Sequence, residues 1–185
     1  MNPNGTANVS LESVDLGSDE HSLVLQPDRT SRTYRNLKER PEGIFHVTDD
    51  VLLVARAAVE RTFVSEDFVP AQTVRSPRLQ NTCRWYEFRI EWWDERRERP
   101  RAKAAVVHVG NVRNFCGFNR AKCAVVEAAL LLKKLTVLSE ETVKELFAGF
   151  KLQVQKAGGE QEAAALELIE THVQKMLARM RRRSS

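Results

Sequence analysis

The chain has 185 residues, 42% of them apolar and 29% charged, with a net charge of +4. That length supports one sizeable core, or a barrel with a small helical appendage, and the composition excludes a disordered chain. The longest apolar stretch, Ala128 to Leu132, is far too short for a membrane-spanning helix, and the basic excess gathers at Arg179, Arg181, Arg182 and Arg183 without the aromatic interleaving that nucleic-acid binding uses.

In chain order, Asn2-Pro3-Asn4-Gly5 is a turn signature, and Thr6 to Leu11 reads as a strand. An apolar run from Leu23 to Leu25 breaks at Pro27 and passes through hydroxyls and arginines into a short helix. That helix stops at Pro41, and the apolar pattern resumes as Ile44-Phe45-His46-Val47. The predicted order is strand, polar turn, short helix, strand. Thr30 and Ser31 stand at the helix N-cap, where side-chain oxygens satisfy the backbone N–H groups that a first turn leaves unpaired. With the positive end of the helix dipole and Arg29, Arg32 and Arg35 spaced three apart, the turn is a candidate anion cradle that a phosphate would fit. The same residues also describe an ordinary surface helix with arginines on its wet face, and the stretch alone leaves both readings open.

Asp49-Asp50 caps a helix through Val51, Leu52, Ala55, Ala58 and Val59, whose apolar face is expected to pack on the strands; capping accounts for both aspartates. Residues 61 to 81, with Pro70 and Pro77, read as loop with one short strand near Ala71 to Val74. Asn81 to Trp93 alternates cleanly as a strand, the charged turn Asp94 to Pro100 reverses the chain, and Arg101 to Gly110 returns as its partner. Trp85, Tyr86, Trp92 and Trp93 are read as core or subunit interface, not as stacking partners of a ligand.

From Asn119 the period changes to 3.6. Ala124, Ala128, Leu131, Leu132 and Leu135 line one stripe, and Ser139 caps a second helix with Val143, Leu146, Phe147 and Phe150 inward. Gly158-Gly159 ends it, and a third helix runs from Glu160 to Arg181. Three such helices make a small bundle. Arg120 and Lys122, just after Asn119, put positive charge at a helix start, where it opposes the dipole. Either a ligand uses that charge or the residues are surface cations at a loop.

Pro27-x-x-Thr30-Ser31-x-Thr33-x-x-Asn36-Leu37, followed by the strand at Ile44, resembles the phosphate-binding segment of flavin reductase-like, FMN-binding split-barrel proteins. Together with Val47-Thr48-Asp49-Asp50 and Gly117-Phe118-Asn119-Arg120-Ala121-Lys122, it resembles an uncharacterised family of that superfamily with a helical C-terminal part. The resemblance runs over nearly the whole chain. It implies an α+β fold: a split β-barrel domain over residues 1–112 and a helical bundle domain over 113–185. It further implies that a first barrel strand is missing, either because the native start lies upstream or because this chain dispenses with it. Ser10-Leu11-Glu12-Ser13 stands where family members carry a proline- and glycine-containing stretch near the flavin ring, a departure that bears on flavin retention.

The resemblance also implies FMN as cofactor. Ser31, Thr33 and Asn36 match the hydroxyls and amide that hold the phosphate and ribityl chain, with Thr30 beside them, and Arg29 offers a planar fork to phosphate oxygens. Residues 28–40 hold five basic and two acidic side chains, a balance that suits a dianion. Backbone around Thr48 is expected at the ring edge, and Asn119, Arg120 and Lys122 are expected to face flavin or substrate, across the interface of a homodimer that holds the site between subunits. A flavin-dependent oxidoreductase taking electrons from a nicotinamide donor is one expectation; a non-catalytic binding or assembly protein that has lost flavin is the other. No nucleophile–base pair, G-x-S-x-G elbow, phosphate loop or dinucleotide fingerprint is present, so no catalytic residue is assigned. Cys83, Cys116 and Cys123 and the scattered histidines match no metal spacing, and with no signal peptide after Met1 the chain is expected to be cytoplasmic.

Overall fold

The structure, a computed structural model, describes residue 2, residues 4–59 and residues 63–184. It contains two compact units, Met1–Thr48 with Thr62–Phe115, and Asp49–Arg61 with Cys116–Ser185. No helix among the described residues is long and apolar enough to cross a membrane.

The first unit is an antiparallel sheet with one short helix. Its strands are β1 (Val14–Leu16), β2 (Ser22–Leu25), β3 (Glu42–Val47), β4 (Phe68–Val69), β5 (Arg78–Leu79), β6 (Arg84–Asp94) and β7 (Arg101–Asn111), and α1 (Arg32–Glu39) lies between β2 and β3. Five strands form one sheet in the order β1-β2-β7-β6-β3, while β4 and β5 pair with each other. Leu23 pairs with Ala104 and Phe45 with Tyr86. One sheet face buries Leu23, Leu25, Tyr86, Phe88, Ala102 and Ala104 with Leu37 of α1. The aromatic run is therefore core at Trp85 and Tyr86, while Trp92 is 51% exposed.

The alternation of β6 sends Trp85 and Glu87 to the opposite face. Glu87 is fully buried there, and its carboxylate accepts the backbone N–H groups of Gln72 (2.8 Å), Thr73 (2.6 Å) and Val74 (3.0 Å) and the Trp85 indole (3.2 Å). Burial acts to raise the Glu87 pKa, but the four donors outweigh it and hold the carboxyl below its usual range. This contact removes the strand expected near Ala71 to Val74: the amides that would enter a ladder converge on one carboxylate, and the strands form on either side of it. His46 accepts from the Leu79 N–H at 3.0 Å, which ties β5 to β3. Burial, with Arg78 nearby, pushes the His46 pKa down to about 4.

The strand expected over Thr6 to Leu11 is also absent. That segment joins no ladder, and its polar side chains hydrogen-bond locally and to α1; the first strand is instead Val14–Leu16, paired with β2.

The second unit holds α2 (Val51–Val59), α3 (Arg120–Leu131), α4 (Glu140–Ala157) and α5 (Glu160–Ser184). Asp50 accepts from the Leu52 and Leu53 amides, both at 3.0 Å, and Asp49 from the Cys116 amide at 2.8 Å. α2 packs on α3 and α5. Its apolar face was expected on the strands, but Val51, Ala55 and Val59 are buried among helices, which makes the bundle four-membered. Ser139 caps α4 through the Thr142 amide, as its position predicts.

Candidate functional site

The turn from β2 into α1 is built by short-range polar contacts. Asp28 accepts from the Thr30 N–H at 2.8 Å and the Thr30 hydroxyl at 2.6 Å, and Ser31 is the N-cap, accepting from the Tyr34 N–H at 3.0 Å. Thr30 therefore shapes the turn and leaves the cap to Ser31. Among the described residues, the Arg32 and Thr33 N–H groups have no acceptor, and the exposed Arg32 and Arg35 side chains have no ionic partner. Two free amides on the positive end of α1, flanked by a hydroxyl and two unpaired guanidinium groups, fit a phosphate dianion.

Arg29 is engaged within the chain. Its guanidinium donates to the Glu95 carbonyl, to the Arg97 carbonyl at 3.0 Å and to the Glu98 carbonyl at 3.3 Å. The fork expected on phosphate oxygens thus holds the turn between β6 and β7. Glu95 completes this attachment by accepting from the Tyr34 hydroxyl at 2.9 Å and from Lys38 at 2.8 Å. Those donors, Lys38 first, keep the Glu95 pKa below its ordinary value.

The Thr33 hydroxyl meets the Ser10 hydroxyl at 2.8 Å and accepts from the Asn8 side-chain amide at 3.2 Å. Asn36 is buried and donates to the Asn2 side-chain carbonyl at 3.0 Å. Asn2 in turn donates to the Thr6 hydroxyl at 2.9 Å, closing a small loop whose Gly5 has a φ of +81°, a conformation that favours glycine. Ser31, Thr33 and Asn36 lie together at the cap and first turns of α1, but their polar atoms are directed to different partners: Tyr34, Asn8 with Ser10, and Asn2. The N-terminal partners are not legible in the sequence because they lie 23 to 34 residues away and Thr6 to Leu11 has the residue types of a strand.

Thr48 is half-buried at the end of β3 in the same unit. Asn119, Arg120 and Lys122 belong to the other unit. There Asn119 caps α3, accepting from the Lys122 N–H at 2.8 Å, and donates to the Ala157 carbonyl at 3.2 Å. Its role in the helical unit is visible without a ligand.

Comparison with solved structures gives the fold a wider setting. An FMN-bound protein from Methanosarcina mazei superposes with a TM-score of 0.78 at 19% identity, over 89% of this chain and 87% of that one, and is assigned to family DUF447. Smaller likenesses are found to a 2-nitrobenzoate 2-nitroreductase from Pseudomonas fluorescens (TM-score 0.48, 19% identity, 60% of this chain and 61% of that one) and to the styrene monooxygenase flavin reductase from Pseudomonas putida S12 (0.45, 15%, 60% and 74%). The sheet and helices form an α+β fold that is shared with the FMN-bound protein over nearly the whole chain. No curated protein matches the chain. The model described as protein of unknown function (DUF447), N-terminal domain, matches residues 16–113, more than half of the 185 residues, and the chain belongs to that family.

Proposed function

We propose that this protein binds FMN, with the phosphate on the N-terminal turn of α1, and works as a flavin-dependent oxidoreductase on a small molecule. The observation that carries the reading is the pair of unpaired amides at Arg32 and Thr33, beside free Arg32 and Arg35 side chains, in a chain that shares family and near-complete fold with an FMN-bound protein. The flavin, when bound, supplies the electron transfer; the protein supplies binding, orientation and shielding from water. In this reading α1 contributes main-chain donors and the Thr33 hydroxyl, while Arg32 and Arg35 offset the charge of the phosphate. Backbone near Thr48 lies at the ring edge, Asn119, Arg120 and Lys122 face flavin or substrate, and two subunits complete the site. A nicotinamide electron donor and a cytoplasmic location belong to the same proposal.

The test is the visible absorption spectrum of purified protein, followed by titration with FMN. Yellow protein, or protein that quenches added FMN, supports the reading. Colourless protein indifferent to FMN removes it. A second reading, a binding or assembly protein that has lost flavin, is favoured by one observation: Arg29, Thr33 and Asn36 each have partners within the chain. It expects no turnover with any electron donor and little loss of fold on Thr33→Ala with Asn36→Ala, whereas the first expects the double substitution to abolish flavin uptake.

A further inference from the structure

Three side chains upstream of the sheet, Asn2, Asn8 and Ser10, hydrogen-bond to Thr33 and Asn36, the two residues of α1 assigned above to the cofactor. The contacts are specific. Asn2 is 8% exposed and Asn36 6% exposed, so both side chains are removed from solvent, and the Asn36 NH2 group finds its acceptor in the Asn2 side-chain carbonyl. Asn2 is fixed from its other side as well: its side chain donates to the Thr6 hydroxyl, and its main-chain N–H donates to the Thr6 carbonyl at 2.8 Å. Two and four residues after Thr6, the Asn8 amide and the Ser10 hydroxyl meet the single Thr33 hydroxyl.

We propose that this segment is a clasp, locked by the Asn2–Asn36 pair, that must open before a flavin mononucleotide can engage Asn36 and Thr33. The proposal rests on the FMN reading. Its physical basis is exclusion. A buried amide cannot meet a ribityl hydroxyl or a phosphate oxygen while another side chain covers it, and the bonds that Thr33 makes to Asn8 and Ser10 compete with those it would make to a ligand. The Arg32 and Thr33 main-chain amides are not covered in this way, so phosphate can reach the helix end first and the clasp yields second. Apparent affinity is then the intrinsic affinity multiplied by the open fraction. Any change that weakens the lock without touching α1 tightens flavin binding.

The lock is removed by Asn2→Ala, which changes no residue assigned to the cofactor, and one of the Thr33 contacts by Asn8→Ala, which leaves Ser10 and the stretch near the flavin ring in place. Equilibrium FMN titration of the full chain is paired with amide hydrogen exchange over residues 4–10, with and without FMN. The expected result is a dissociation constant about two- to tenfold lower for Asn2→Ala, the range set by the net worth of one hydrogen bond. In the wild-type chain, exchange over 4–10 is expected to accelerate when FMN is added. An unchanged or weakened affinity for Asn2→Ala, or stronger protection of 4–10 on adding FMN, overturns the clasp while leaving the flavin reading intact. If wild-type and both variants fail to bind FMN although exchange shows residues 4–10 released in Asn2→Ala, the flavin reading fails and the clasp falls with it.

Discussion

Glu87 and His46 show what one side chain does in this fold. A carboxylate that accepts three main-chain amides replaces a strand, so neutralising it attacks the loop and not only a charge. Glu87→Gln keeps the shape but presents an NH2 group to one of the converging donors, and it is expected to cost about 2–3 kcal/mol, read as a lower denaturant midpoint with an unchanged slope. His46 gives a pH dependence. Its folded pKa is about 4, below the ordinary imidazole value of 6.5, so between those values the unfolded chain binds the extra proton. Its contribution to stability is complete above pH 6.5 and is lost as pH falls toward 4, at about 1.4 kcal/mol per pH unit. Denaturation at pH 6.5 and pH 5 is therefore expected to differ by about 2 kcal/mol in wild type, and the difference is expected to shrink in His46→Gln. Glu87 acts in the same direction, but only below the ordinary carboxylate range. Neither role is legible in the sequence, because Glu87 meets residues 13 to 15 positions earlier through a loop with no periodic signal and His46 meets one 33 positions on.

At the scale of elements, the legible parts are those decided by neighbours. Ser31 caps α1 and Ser139 caps α4 through the residue three positions on, a distance that sequence patterns can read. The β6–β7 hairpin announces itself by alternation, and the C-terminal helices by their 3.6-residue stripe. What stays hidden is whatever depends on distant partners. Thr6 to Leu11 has the residue types of a strand, yet Asn8 and Ser10 are bonded to α1. Arg29 reads as a phosphate fork from Arg-rich surroundings, but its acceptors are carbonyls 66 to 69 residues away. The hairpin also contains a close approach that composition does not reveal. A Cβ on Gly110 would lie 2.0 Å from the buried Trp85 ring, so Gly110→Ala forces ring or strand to move. The expected cost is about 1–3 kcal/mol, visible as a lower thermal midpoint together with a red-shifted tryptophan emission as the ring gains water.

For the whole molecule, the question is whether folding and cofactor are coupled. FMN that binds only the folded chain stabilises it by RT ln(1 + [L]/Kd), about 2.7 kcal/mol at a hundredfold excess over Kd. For a chain of this size that corresponds to a rise of about 5–10 °C in Tm. Thr33→Ala with Asn36→Ala separates two contributions to that rise. The double variant loses the Asn2, Asn8 and Ser10 contacts as well as the flavin contacts, so its Tm without FMN is expected to fall slightly, and its Tm with FMN to fall by that amount plus the whole ligand increment. Asn2→Ala loses only the clasp, so its midpoint starts slightly low and rises further than wild type when FMN is added. Differential scanning of the three proteins at matched FMN concentrations distinguishes these patterns. Equal increments in all three would place the flavin away from α1, and a large wild-type increment absent from the double variant would place it there.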